Sequence, residues 1–132
     1  MPYSILITHS MAAILWLMRI ERELMRGAGP LAILQLLGRR AMYGYELIEA
    51  LAKAGGGALN MGHSTLYPML YNLEAKKLIR GTWEKADSGR DRKYYSLTAK
   101  GEKHLASTER QWKALLKAFR QLNILNLGVK ER

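Results

Sequence analysis

There is no cysteine in this chain. That absence excludes disulfides and thiolate metal sites, and it suits a reducing interior such as a cytosol. Histidine is sparse: His9, His63 and His104 stand far apart, without metal-ligand spacing and beside no plausible nucleophile. There is no phosphate loop, no nucleotide fingerprint and no paired carboxylates in an evident cleft. Glu46, Glu49 and Glu74 read as helix-surface or capping charges. The usual enzyme constellations are therefore excluded, and no cofactor is expected. Acids are also short, 11 against 21 lysines and arginines, which leaves a net charge of +10. On a chain of 132 residues, enough for one domain with a modest core, such a surplus points to a polyanionic partner. Nucleic acid is the commoner one and an anionic membrane the rarer.

The positive charge is unevenly placed. Residues 1–18, MPYSILITHSMAAILWLM, carry none of it. Three readings of that stretch compete. It is marginal in length for a membrane span or signal, Thr8-His9-Ser10 interrupts it, and no basic region precedes it. Ile5, His9, Ala12, Trp16, Ile20 and Leu24 fall near helical spacing, which suits an added amphipathic helix. A start codon placed too early, with Met11, Met18 or Met25 as the natural beginning, is the third. The appended helix and the early start are both favoured over a membrane anchor.

Downstream, GAGP at 27–30 predicts a break, with Pro30 in the first turn of a short buried helix over PLAILQLLGRR. YGYELIEALAKAGGG predicts a second helix, Leu47, Ile48 and Leu51 inward, ended by three glycines. In MGHSTLYPMLYNLEAKKL, residues 61–78, Leu66, Leu70, Leu73 and Lys77 share one helical stripe. The opposite side shows Ser64, Pro68, Tyr71, Asn72 and Ala75. Asn60 or Ser64 is the expected cap, and Pro68 bends the helix if it starts early.

Ile79–Glu84 and Arg92–Leu97 are β-rich around the turn-forming KADSGRD, so a hairpin is expected. Thr98 then caps a long helix. Its Leu105, Trp112 and Phe119 recur every seven residues, with Thr108, Leu115 and Leu122 three after each. That is a coiled-coil seam, suited to pairing with a second copy of the chain. Three helices followed by a hairpin make a winged helix-turn-helix, whose third helix enters the major groove and whose hairpin is the wing. The expected class is mostly α (α+β): an extension over 1–26, the winged helix-turn-helix over 27–97, the C-terminal dimerisation helix over 98–125 and a tail over 126–132.

YGYEL at 43–47, STLYPMLYNLE at 64–74, RKYYSLTAKG at 92–101 and Trp112 together resemble the PadR-like transcriptional regulators, over about Glu23 to Leu122. The resemblance implies a dimeric winged-helix repressor of the smaller subgroup, with one C-terminal helix making the dimer. Asn72 stands where that family usually carries a basic residue.

Ten residues are candidates for duplex DNA: Tyr43, Ser64, Thr65, Tyr67, Pro68, Asn72, Lys76, Arg90, Arg92 and Lys93. Short hydroxyls and an amide on a helix approach base edges closely, while wing cations meet phosphates. The competing reading is a solvated helix face and an ordinary charged hairpin. Leu105, Trp112, Leu115, Phe119 and Leu122 are the candidate dimer interface. Some relatives of that family bind planar compounds near the dimer interface, so Trp112 is also a candidate platform for an apolar aromatic effector. The function expected is a cytoplasmic homodimeric repressor on a palindromic operator. A winged-helix module that docks proteins and a membrane-tethered regulator are the rivals.

Overall fold

The computed structural model describes residues 21–54 and 56–125. The readings made for residues 1–18 and the tail at 126–132 lie outside the described residues. Among these residues, four helices and three strands follow in the order α1 (Arg22–Leu37), β1 (Met42–Tyr43), α2 (Gly44–Ala54), α3 (His63–Ala75), β2 (Ile79–Lys85), β3 (Asp91–Leu97) and α4 (Ala99–Gln121). The strands form one antiparallel sheet in the order β1-β3-β2. This is the winged helix-turn-helix architecture.

The first helix corrects the expected break at GAGP. Helix α1 runs unbroken through Gly27, Ala28, Gly29 and Pro30. Each glycine costs about 1 kcal/mol in a helix, and an interior proline about 3 kcal/mol. Packing outweighs them: Met25, Gly29, Ile33, Leu36 and Leu37 form one buried stripe. At Gly29 the crossing with α3 is close, for a Cβ there would stand 2.9 Å from the Met69 sulfur.

Helix α3 carries Leu66, Leu70 and Leu73 into the core, the first two at 0% exposure, as the leucine stripe predicts. They meet Leu47 and Leu51 of α2 and Ile33 and Leu34 of α1 in one cluster. Burying each such side chain stabilises the fold by roughly 1.5–3 kcal/mol. The start of α3 departs from expectation. Gly62 is the N-cap, and neither Asn60 nor Ser64 supplies a side-chain cap. Pro68 therefore lies inside the helix, where it has no N–H to give the Ser64 carbonyl.

After α3 the chain turns through Lys77 in the left-handed region, φ 62°. The Leu78 N–H donates to the Leu73 carbonyl at 3.0 Å, and the Lys77 N–H to Glu74 at 2.9 Å. That is a Schellman turn with lysine where glycine is usual. The hairpin follows as expected, closed by Gly89 at φ +86°. Strand β1 was not expected. It is only two residues long, pairing Met42 with Tyr95 and Tyr43 with Tyr94, and it fastens the start of α2 to the wing.

Thr98 caps α4 as expected. Its Oγ1 accepts from the Gly101 N–H at 2.9 Å and donates to the Lys77 carbonyl at 2.7 Å. Such a cap contributes about 1 kcal/mol. One residue thus joins the end of α3, the start of the wing and the start of α4.

Candidate nucleic-acid interface

With its leucines buried, α3 turns Ser64, Thr65, Pro68 and Asn72 to solvent on the other side. The helical repeat brings these four onto one face. Lys76 continues it past the last turn, exposed, its carbonyl accepting from the Lys100 ammonium at 3.0 Å. One flank of this face is an open groove, shared with Arg22 and Arg26 of α1 and His104 of α4. Neither α1 arginine was singled out in the sequence. Both lie in a stretch where five arginines face two glutamates, which was the signal available.

The other flank is aromatic. His63, Tyr67 and Tyr71 occupy positions i, i+4 and i+8 of α3. The His63 and Tyr67 rings stack at 5.7 Å, and Tyr71 follows at 6.2 Å from Tyr67. Tyr45, at the start of α2, lies 6.2 Å from His63. Tyr67 is half-buried because its hydroxyl reaches the α2 backbone at Gly44, where any side chain would collide with it. Tyr45 and Tyr71 are exposed, at 56% and 60%. The four-residue spacing of this row was legible. Its neighbour on α2 was not.

Of the two tyrosines in YGYEL, Tyr43 is the half-buried one. Its N–H donates to Glu46 Oε1 at 3.2 Å, half of a capping box for α2. Glu46 also holds Arg40, at 3.1 Å. The Arg92 guanidinium lies 4.3 Å over the Tyr43 ring, and Tyr94 meets that ring edge-on at 5.4 Å.

Arg92 and Lys93 are neighbours in sequence and opposites in space, because successive strand residues point to opposite faces. Arg92 belongs to the outer face with Tyr94. Lys93 belongs to the inner face, where its ammonium sits 3.1 Å from Glu74 Oε1 of α3. Arg90 is exposed in the wing turn. Trp83, on the inner face opposite Lys93, is 67% exposed; the alternation Ile79, Gly81, Trp83 was the signal for it.

Behind the Lys93–Glu74 pair lies Tyr95, 2% exposed. Burial, and next the Glu74 carboxylate, pushes its phenol from 10.0 up to about 12. The folded chain therefore favours the neutral phenol. That contribution is whole below pH 10.0 and is lost as the pH rises to about 12. Urea midpoints should fall across that window in the wild type and fall less in Tyr95→Phe.

Along α4, Leu105 packs on the chain's own core. Trp112 and Phe119 are half-buried. Leu115, Leu116, Leu122 and Ile124 are exposed, at 41%, 44%, 68% and 60%. Among the described residues no helix is long and apolar enough to cross a membrane.

Residues 33–107 match the model of the transcriptional regulator PadR-like family. A Streptococcus transcriptional regulator of known structure is 33% identical, with a TM-score of 0.69 over 78% of this chain and 99% of its own. A PadR-family transcriptional regulator from Eggerthella lenta is 32% identical, with a TM-score of 0.68 over 91% of this chain and 95% of its own. A PadR-like regulator from Bacillus cereus is 30% identical, with a TM-score of 0.67 over 76% and 95%. An uncharacterised Lysinibacillus sphaericus protein is 27% identical over 70% of this chain and 85% of its own. Fold, motifs and relatives agree: this chain belongs to the PadR-like family, and is a DNA-binding transcription regulator rather than an enzyme.

Proposed function

We propose that this protein is a cytoplasmic homodimeric repressor that reads a roughly palindromic operator with two copies of α3. The observation that carries this reading is the polar stripe of Ser64, Thr65, Pro68 and Asn72, turned to solvent by buried leucines. Side chains this short let the helix backbone approach base edges. Exposed Arg90 at the wing tip and Lys76 past α3 supply phosphate attraction, with Arg92 behind the tip. A two-fold dimer spaces its helices by about 34 Å, one turn of B-DNA. Trp112 lies on the same stripe of α4 as Leu115 and Leu122. A planar apolar effector held there between two subunits would shift the spacing of the recognition helices and release the operator.

Operator selection from a random duplex library, followed by anisotropy titration over a range of salt, tests the reading. About six to eight phosphate contacts per dimer give a log–log salt slope of roughly −5 to −7. Arg90→Ala should weaken binding to every duplex and flatten the slope by about two units, one contact from each subunit. Asn72→Ala or Thr65→Ala should instead change the preferred sequence and leave the slope in place. Identical behaviour of wing and helix variants would refute this division of labour. A wild type that retards no duplex at low salt would point to a protein-docking surface instead.

A further inference from the structure

Lys93 was a natural candidate for a phosphate, being a lysine on the wing of a basic chain. Its surroundings give it another task. The side chain lies in the cleft between the wing and α3, 27% exposed, and donates to Glu74 Oε1 at 3.1 Å. Glu74 is 32% exposed and closes the last turn of α3. The ammonium also lies 5.4 Å from the centroid of the Tyr95 ring, which floors the cleft. The roof is a gap. Gly81, facing Tyr95 across the strands, has no side chain, and the stem of Lys93 runs through the space. A Cβ at Gly81 would collide with the Lys93 Cε and stand 3.0 Å from Glu74 Oε2. A glycine weakens a strand. This one leaves room for a lysine to reach across to a helix 19 residues earlier in the chain.

We propose that Lys93 is a positioning residue for DNA recognition: its ion pair with Glu74, in the space left by Gly81, sets the angle between wing and recognition helix, so that both fit one stretch of duplex. This rests on the DNA-reading role proposed for α3 and the wing. The pair joins the two elements that must meet one duplex together. Half-shielded from water, it is screened less than an exposed pair. A lysine held by a carboxylate has no full charge to offer a phosphate, so the pair adds to fit and not to counterion release.

The test uses the full chain, a duplex selected by the wild type, and a scrambled duplex of equal length. Lys93→Met keeps the stem and removes the charge. Gly81→Ala keeps the charge and fills the gap. Glu74→Lys combined with Lys93→Glu reverses the pair. Lys93→Met and Gly81→Ala should each lower affinity for the selected duplex by about tenfold, the size of a lost coupled pair, and leave scrambled-duplex affinity and the salt slope unchanged. The reversed pair should recover most of that loss. A direct phosphate contact predicts the contrary for Lys93→Met: equal losses on both duplexes and a slope flatter by about two units. That result, or full activity of Gly81→Ala, or a reversed pair worse than either single variant, overturns the proposal. Failure of the underlying DNA-binding reading looks different, since the wild type itself then binds no duplex and both proposals fall together.

Discussion

Gly101→Ala should cost about 2–4 kcal/mol of folding stability and lower the melting temperature by roughly 10 °C. The reason lies in what a Cβ would meet. Gly101 is buried in the first turn of α4, which crosses directly over the chain at Leu78. A methyl group there would run into the Leu78 carbonyl oxygen and stand 2.7 Å from Leu97 Cδ1 and 3.0 Å from the Leu78 carbonyl carbon. Backbone cannot swing aside as a lysine stem can. The Leu78 carbonyl is also engaged, accepting from the Thr98 N–H at 3.1 Å, and it shares with the closer Lys77 carbonyl the single proton of the Thr98 hydroxyl, 3.0 Å away. Relieving the clash lifts α4 and breaks those bonds. Gly27→Ala is the matched control. Among the described residues nothing lies within 4 Å of a Cβ at Gly27 in the middle of α1, so the same substitution should stabilise by roughly 0.5–1 kcal/mol. Calorimetry or circular-dichroism melts of the two variants read the difference in sign. If Gly101→Ala melts with the wild type, α4 does not sit on Leu78 as described.

Sequence and structure agree best where one period and one burial pattern act together. Leu66, Leu70 and Leu73 sit at helical spacing with short polar residues opposite, and only one face of α3 can then be buried. The hairpin declares itself through aromatic and β-branched residues on both sides of a turn that needs Gly89 at positive φ. Thr98 was legible because a helix start needs a side-chain acceptor at a fixed offset. Local preference misleads where tertiary packing overrules it. Gly27, Gly29 and Pro30 all disfavour helix, yet Met25, Gly29 and Ile33 bury one continuous stripe and hold α1 together. The period was present in the letters, but the weight of a crossing helix was not. Strand β1 is too short at two residues for any period to show. Lys93 and Glu74 illustrate a different limit. Strand alternation places Lys93 on the face of buried Tyr95, away from Arg92. Which helix residue waits on that face depends on the cleft, and the cleft exists only once wing and helix are packed.

Leu115→Glu combined with Leu122→Glu should turn a dimer into monomers and lower affinity for a full operator by roughly 10²–10⁴-fold. Both leucines are exposed in the single chain, so glutamates there leave its own core intact. Leu105, by contrast, would be a poor choice, because it packs on that core. The heptad spacing extends from Thr108 through Trp112, Leu115 and Phe119 to Leu122, and Leu116 broadens the stripe. An apolar row of this length on one helix is costly to leave wet, and a two-fold copy offers an identical row to cover it. Glutamates placed opposite each other across the two-fold axis repel and lose the buried area together. The effect on DNA is then one of geometry rather than of chemistry. Two linked recognition helices bind the second half-site at an effective concentration near millimolar, while separate chains must each bind alone. Affinity for a duplex carrying a single half-site should therefore be nearly unchanged by the double substitution. Sedimentation equilibrium gives the oligomeric state, and titration with one-half-site and two-half-site duplexes gives the rest. A wild type that sediments as one chain at micromolar concentration, or a variant that holds full operator affinity as a monomer, would remove the two-fold axis and, with it, the reason for a palindromic operator.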